Sequence, residues 1–169
     1  LKVTGYKLRE GIRVWELRKT AATNGFTQSI VSFADEDHGD PLLFFKEVEV
    51  CERNIALLQT AQSLFNLQVQ VKVEGLSSGS LAEAVKLIGG AGRLEKLWRT
   101  VIKGKRDHYS TYRSAGEVAA VQKVHNQVVL SKATSAAKFA GKLRSAIAEA
   151  NNNEIEVPFL TEEHFPKEE

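Results

Sequence analysis

Two stretches of this chain repeat their apolar residues in alternating steps of four and three. Phe44, Val48, Cys51, Ile55, Leu58, Gln62 and Phe65 form the first seam, with Gln62 its one polar member. Val129, Ala133, Ala136, Ala140, Leu143, Ile147 and Ala150 form the second. Such a period places every member on one stripe of an α-helix, whereas a strand would scatter them over both faces. Two long helices that each bury one stripe need partners to bury it against. The expected fold is therefore mainly α: an antiparallel bundle of about four long helices. The alanines of the second seam let two helix backbones approach closely.

The rest of the chain supplies the remaining elements. Leu8, Ile12, Trp15, Ala22, Phe26 and Ile30 predict a first helix over about 5–32, weakened by Gly11 and Gly25. An acidic connection, Asp35-Glu36-Asp37-His38-Gly39-Asp40-Pro41, follows, with Asp40 suited to cap a second helix over about 41–67 and Pro41 to open it. The period then drops to two: Val69, Val71 and Val73 would share one face of a strand. Gly75 and Ser77-Ser78-Gly79 supply a turn, and Ser80 with Glu83 forms a capping box for a third helix over about 81–102. Leu81, Val85, Ile88, Leu94, Leu97, Trp98 and Val101 would be its apolar side. Gly89-Gly90-Ala91-Gly92 inside it implies a bend or a close backbone crossing. A lone strand leaves its backbone groups unpaired, so residues 117–124 are assigned as its partner, although Ser114 and Glu117 would also cap a helix. Asn126 would cap the fourth helix over about 127–151. The result is a bundle with a small antiparallel β-sheet at one end, a single domain over 1–153, and a tail over 154–169.

Charge separates these parts. Of 23 Lys+Arg and 21 Asp+Glu in the 169 residues, 1–153 holds 22 basic and 15 acidic, a balance of +7. The tail holds Lys167 against Glu154, Glu156, Glu162, Glu163, Glu168 and Glu169. Within the body, 93–113 is the most basic stretch, with Arg93, Lys96, Arg99, Lys103, Lys105, Arg106 and Arg113 against Glu95 and Asp107. A basic body and an acidic, partly apolar tail can join one subunit to the next. Arg93, Lys96 and Arg99 on one side, and Ile155, Val157, Phe159, Leu160 and Phe165 on the other, are the candidate subunit contacts. Ile155 and Val157 alternate as an added edge strand would, docking the tail on its own body or on a neighbour.

Catalytic and metal chemistry find little to build on. No two of His38, His108, His125 and His164 have the i, i+4 spacing of a helical metal site, and Cys51 has no second cysteine beside it. Gly89–Gly92 does not follow a strand and lacks the Gly-Lys-Ser/Thr ending of a phosphate loop. Asp107-His108-Tyr109-Ser110 holds catalytic residue types, but consecutive residues do not converge as a triad must. Neither a cofactor nor a small-molecule ligand is indicated. Lys103, Lys105, Arg106, Tyr109, Tyr112 and Arg113 interleave cations with aromatic rings, which could grip phosphates and stack on bases. No apolar run approaches the about 20 residues of a membrane-spanning helix. The opening Leu1-Lys2-Val3-Thr4-Gly5 is not followed by an apolar segment, and one cysteine suits a reducing compartment, so a cytoplasmic protein is expected.

Tyr6-Lys7-Leu8-Arg9-Glu10, the acidic connection, the strand after the second helix, Leu81-Ala82-Glu83-Ala84 and Ala148-Glu149-Ala150-Asn151 together resemble a bacterial family labelled septicolysin-like. The most specific piece is Lys105-Arg106-Asp107-His108-Tyr109-Ser110, similar to that family's Arg-Asp-x-Tyr-Ser segment. The resemblance covers most of 5–152; Gly89–Gly92 and the tail depart from it. It implies a helical fold with a small inserted sheet and no assigned catalytic residues, and the family's label suggests a membrane-active cytolysin. The expectation carried forward is a non-enzymatic protein that builds a homo-oligomer through helix seams and tail docking. A nucleic-acid-associated protein using the 103–113 loop is the alternative, and a cytolysin-like protein a further one.

Overall fold

The computed structural model describes residues 1–31, 37–102 and 123–166. The described elements are β1 (Lys2–Thr4), α1 (Gly5–Ser29), α2 (Pro41–Gln68), α3 (Leu81–Ile102), α4 (Asn126–Ala150), β2 (Glu154–Glu156) and a 3-10 turn at Glu162–His164. The fold is mainly α, of the helical-bundle class, with four helices and a two-stranded antiparallel sheet among the described residues. No described helix is long and apolar enough to cross a membrane.

Local chemistry sets the helix boundaries. Thr4 is extended and its hydroxyl accepts the Lys7 N–H at 3.1 Å, so α1 starts at Gly5. Asp40 caps α2 as expected: its carboxylate accepts the Leu42 N–H at 2.8 Å, and Pro41 opens the first turn. At α3 the capping box is displaced. The Glu83 N–H bonds Ser80 Oγ at 3.3 Å. The Glu83 carboxylate reaches past Ser80 to the N–H groups of Ser77 (2.7 Å), Ser78 (2.6 Å) and Gly79 (3.3 Å). At α4, the Val128 and Val129 amides bond the His125 carbonyl, so Asn126 is the first helical residue rather than the residue before it.

The sheet lies elsewhere than the valine alternation predicts. Val69 and Val71 are buried, so the period of two marks their burial. They form no strand, however: the Val71 N–H bonds the Gly79 carbonyl at 2.7 Å and closes the turn that Gly75 and Gly79 make at positive φ. Of its assigned partner, 117–122 lies outside the described residues, and Lys123 and Val124 form a bend. The sheet joins segments far apart in sequence. Lys2, Val3 and Thr4 stand opposite Glu156, Ile155 and Glu154. The sheet's tail half is the edge strand that the alternation of Ile155 and Val157 predicts, here paired with its own chain; β1, three residues long, carries no such signal.

The chain gathers into two compact units: Leu1–Gln70 with Glu149–Glu169, and Val71–Ala148. In the first, α1 and α2 run antiparallel. Lys19 pairs with Glu52 at 3.1 Å, Arg18 with Glu47, and the tilted rings of Phe26 and Phe45 meet with centroids 5.9 Å apart. Leu8, Ile12, Trp15 and Ala22 from α1 are buried, as are Cys51, Ile55, Leu58, Ala61 and Phe65 from α2. The α2 seam is thus the one read from its heptads, with Ala61 buried where Gln62 is only half-buried. Two glycines allow close approach. A Cβ on Gly5 would lie 2.2 Å from Asn151 Oδ1 and 2.8 Å from Phe65 Cε1, and one on Gly11 would lie 3.0 Å from both Leu58 and Phe165. In the second unit, Val129, Ala133, Ala140 and Leu143 of α4 are buried, as its heptads require. Phe139 lies over Gly75.

Candidate functional site

The tail docks on its own chain. Val157 and Leu160 are 0% and 2% exposed, and the Val157 N–H bonds the Leu1 carbonyl at 2.8 Å, extending the line of β1–β2 pairing. Lys7, Gly11 and Trp15, spaced by four along one face of α1, receive the residues that follow. Lys7 Nζ lies 2.9 Å from Glu162 and 4.7 Å from the centroid of the Phe165 ring. Phe165 rests on Gly11. The Trp15 indole N–H donates to the His164 carbonyl at 2.8 Å. Val157 and Leu160, expected as subunit contacts, are therefore enclosed within their own chain, and Ile155 and Phe165 are half-buried there. Phe159 is 40% exposed. Glu154, Glu156 and Glu163 are exposed on this docked segment.

The third helix departs most from the sequence reading. Its buried side is Leu81, Ala84 and Ala91, continued by half-buried Ile88, Glu95 and Trp98. These positions step by three and four along a single stripe. Offset by one residue runs a second stripe in the same rhythm: Leu87, Gly90, Leu94, Leu97 and Val101. One residue turns the helix by about 100°, so the two stripes are neighbouring faces. Leu87 is half-buried, and Leu94, Leu97 and Val101 are 55%, 60% and 46% exposed. Leu94, Leu97 and Val101, expected in the core, thus lie in solvent, as does Val85. The signal that separates the stripes is the alanine pair. Ala84 and Ala91 complete a strict heptad with Leu81, Ile88 and Trp98, which a reading that favours larger side chains passes over. Among the described residues no other backbone comes within 4 Å of a Cβ built at Gly89, Gly90 or Gly92; the helix's own Arg93 side chain is what lies near Gly89 and Gly90.

Arg93, Lys96 and Arg99 are exposed on this half of α3. Arg99 bonds Glu95 one turn back at 2.8 Å. Arg93 and Lys96 make no ion pair among the described residues. An exposed apolar stripe with Arg93 along one edge, and Lys96 farther round the helix beside Arg93, is thus presented by α3, and contiguous exposed apolar surface of this kind marks interaction sites. A second apolar patch, at the far end of the first unit's hairpin, presents Ile30, Val31, Leu42, Leu43 and Phe45. Lys103, Lys105, Arg106, Tyr109, Tyr112 and Arg113, the candidate nucleic-acid contacts, lie outside the described residues.

Among the described residues, no group of three or more His, Cys, Asp and Glu side chains is placed to hold a metal ion. Cys51 is enclosed in the α1–α2 core; burial first, and the neighbouring Glu47 carboxylate second, push its thiol pKa up and keep it protonated. The backbone amides of Ser77 and Ser78 and the Ser78 hydroxyl hold the Glu83 carboxyl below its ordinary pKa.

No family model and no curated protein matches the chain. Its fold is similar to that in the crystal structure of a functionally unknown conserved protein from Corynebacterium diphtheriae, with a TM-score of 0.70 and 16% identity over 92% of this chain and 100% of that one. At that identity the likeness bears on fold alone.

Proposed function

We propose that this is a non-enzymatic structural protein that assembles with copies of itself through helix faces. The observation that carries the reading is the double heptad of α3: one stripe is buried, and the other holds Leu94, Leu97 and Val101 in solvent. A helix with two apolar stripes is built to pack on two sides. Covering such a side chain contributes roughly 1.5–3 kcal/mol before ordering costs. Arg93 at the edge, with Lys96 beside it, favours a neighbour that brings carboxylates to meet them. The self-docked tail shifts the role first expected of it. Its buried residues hold the subunit together, and its outer surface stays free for a partner.

Sedimentation equilibrium over a concentration series tests this reading. A defined multimer is expected for the native protein, and the double variant Leu94→Glu, Leu97→Glu should be monomeric with unchanged helix content by circular dichroism. A native protein that is monomeric at every concentration and salt overturns it.

A further inference from the structure

We infer that the acidic outer side of the docked tail in one copy seats on the α3 stripe of the next, a head-to-tail contact that rests on the assembly reading above. A two-fold contact that set α3 against α3 would bring Arg93 and Lys96 no unpaired carboxylate, since Glu95 is the only acidic residue over 93–102 and it holds Arg99. The occupant of this stripe must instead bring negative charge beside an apolar group, and this chain displays such a surface.

Over 154–166 the tail carries Glu154, Glu156, Glu162 and Glu163 and no Lys or Arg. Glu162 is held by Lys7. Glu154, Glu156 and Glu163 are exposed and make no ion pair among the described residues, although Lys2 stands opposite Glu156 across the sheet. In β2 the half-buried Ile155 separates two outward carboxylates, which the strand repeat sets about 7 Å apart. Arg93 and Lys96 are three residues apart on α3, which puts their Cβ atoms about 5–6 Å apart. Two long, flexible cations at that spacing match two carboxylates at the other. Phe159, 40% exposed on the same segment, supplies an apolar group for Leu94, Leu97 and Val101. The charges set register and encounter rate while the apolar groups supply burial. Because the two surfaces differ, the contact repeats from copy to copy and yields a ring if the rotation closes or a filament if it does not.

Heterologous contact has a signature that a mixing experiment reads. One full-length variant, Arg93→Glu with Lys96→Glu, loses the helix surface. Another, Glu154→Lys with Glu163→Lys, loses the tail surface and leaves Glu156 opposite Lys2. All four side chains are exposed, so both variants should keep the native circular dichroism. Each alone should associate at least about tenfold more weakly than the native chain. Mixed in equal amounts they pair native helix with native tail and reversed helix with reversed tail, and should recover the native mass by sedimentation equilibrium. Native assembly should also weaken in high salt. If the native chain is multimeric and either variant keeps its full mass, the inference is overturned and the contact passes to the hairpin end. A mixture that stays monomeric also overturns it, in favour of a two-fold contact. A native chain that never associates removes the assembly reading itself.

Discussion

Glycine positions show how local sequence and tertiary contact part company. Gly89, Gly90 and Gly92 draw the eye as a cluster, yet a Cβ at Gly92 would meet nothing within 4 Å. Gly5 is isolated in the sequence, and its Cβ would lie 2.2 Å from Asn151 Oδ1. The two sites therefore call for opposite outcomes. Gly92→Ala should stabilise the protein by roughly 0.5–1 kcal/mol, the helix-propensity difference alone. Gly5→Ala should destabilise it by about 1–3 kcal/mol through overpacking. Urea unfolding of both variants checks the pair, and equal effects would contradict the packing described. No pattern in the sequence distinguishes the two glycines, because what excludes a side chain at Gly5 comes from Asn151 and Phe65, far along the chain.

At the scale of the element, the start of α3 carries a pH-dependent term. The Glu83 carboxylate accepts bonds from the amides of Ser77, Ser78 and Gly79 and from the Ser78 hydroxyl, which lowers its pKa in the folded state. A lowered folded pKa means that the unfolded chain binds this proton more readily. The stabilisation is then complete above the ordinary glutamate pKa of about 4.3 and is lost as pH falls through the folded value. Glu83→Gln should be less stable than the native protein near neutrality, and the gap should close on acidification below pH of about 4. Thermal unfolding across that range measures it; a gap independent of pH would assign the effect to packing. The capping box itself was legible as Ser80 and Glu83. That the carboxylate would pass Ser80 to grip three earlier amides depends on the turn geometry at Gly75 and Gly79, which spacing alone does not encode.

The docked tail matters to the whole molecule. Deleting 154–169 removes β2, exposes the groove over Lys7, Gly11 and Trp15, and uncovers what Val157 and Leu160 bury. The cost should approach the roughly 1.5–3 kcal/mol per side chain of full burial, as an upper bound. A lower urea midpoint is expected, together with a red shift of Trp15 emission measured in a Trp98→Phe background. Unchanged emission would show that the tail does not cover Trp15 in solution. Because the tail also bears the proposed contact, the exposed-charge variants, and not this deletion, separate assembly from stability.

Strict heptads over 44–65 and 129–150 determined two of the helices and their buried sides, because a stripe on a helix has few ways to avoid water. Asp40-Pro41 likewise determined where α2 begins, since a cap is a contact within one turn. The sequence could not say which of two overlapping heptads in α3 would be buried, since both satisfy the same period and only the neighbours present select one. Nor could it join β1 to β2. The alternation of Ile155 and Val157 marked a strand in the tail but did not name its partner, and Val3 meets Ile155 only once α1, α2 and the end of α4 have brought the chain's two ends together.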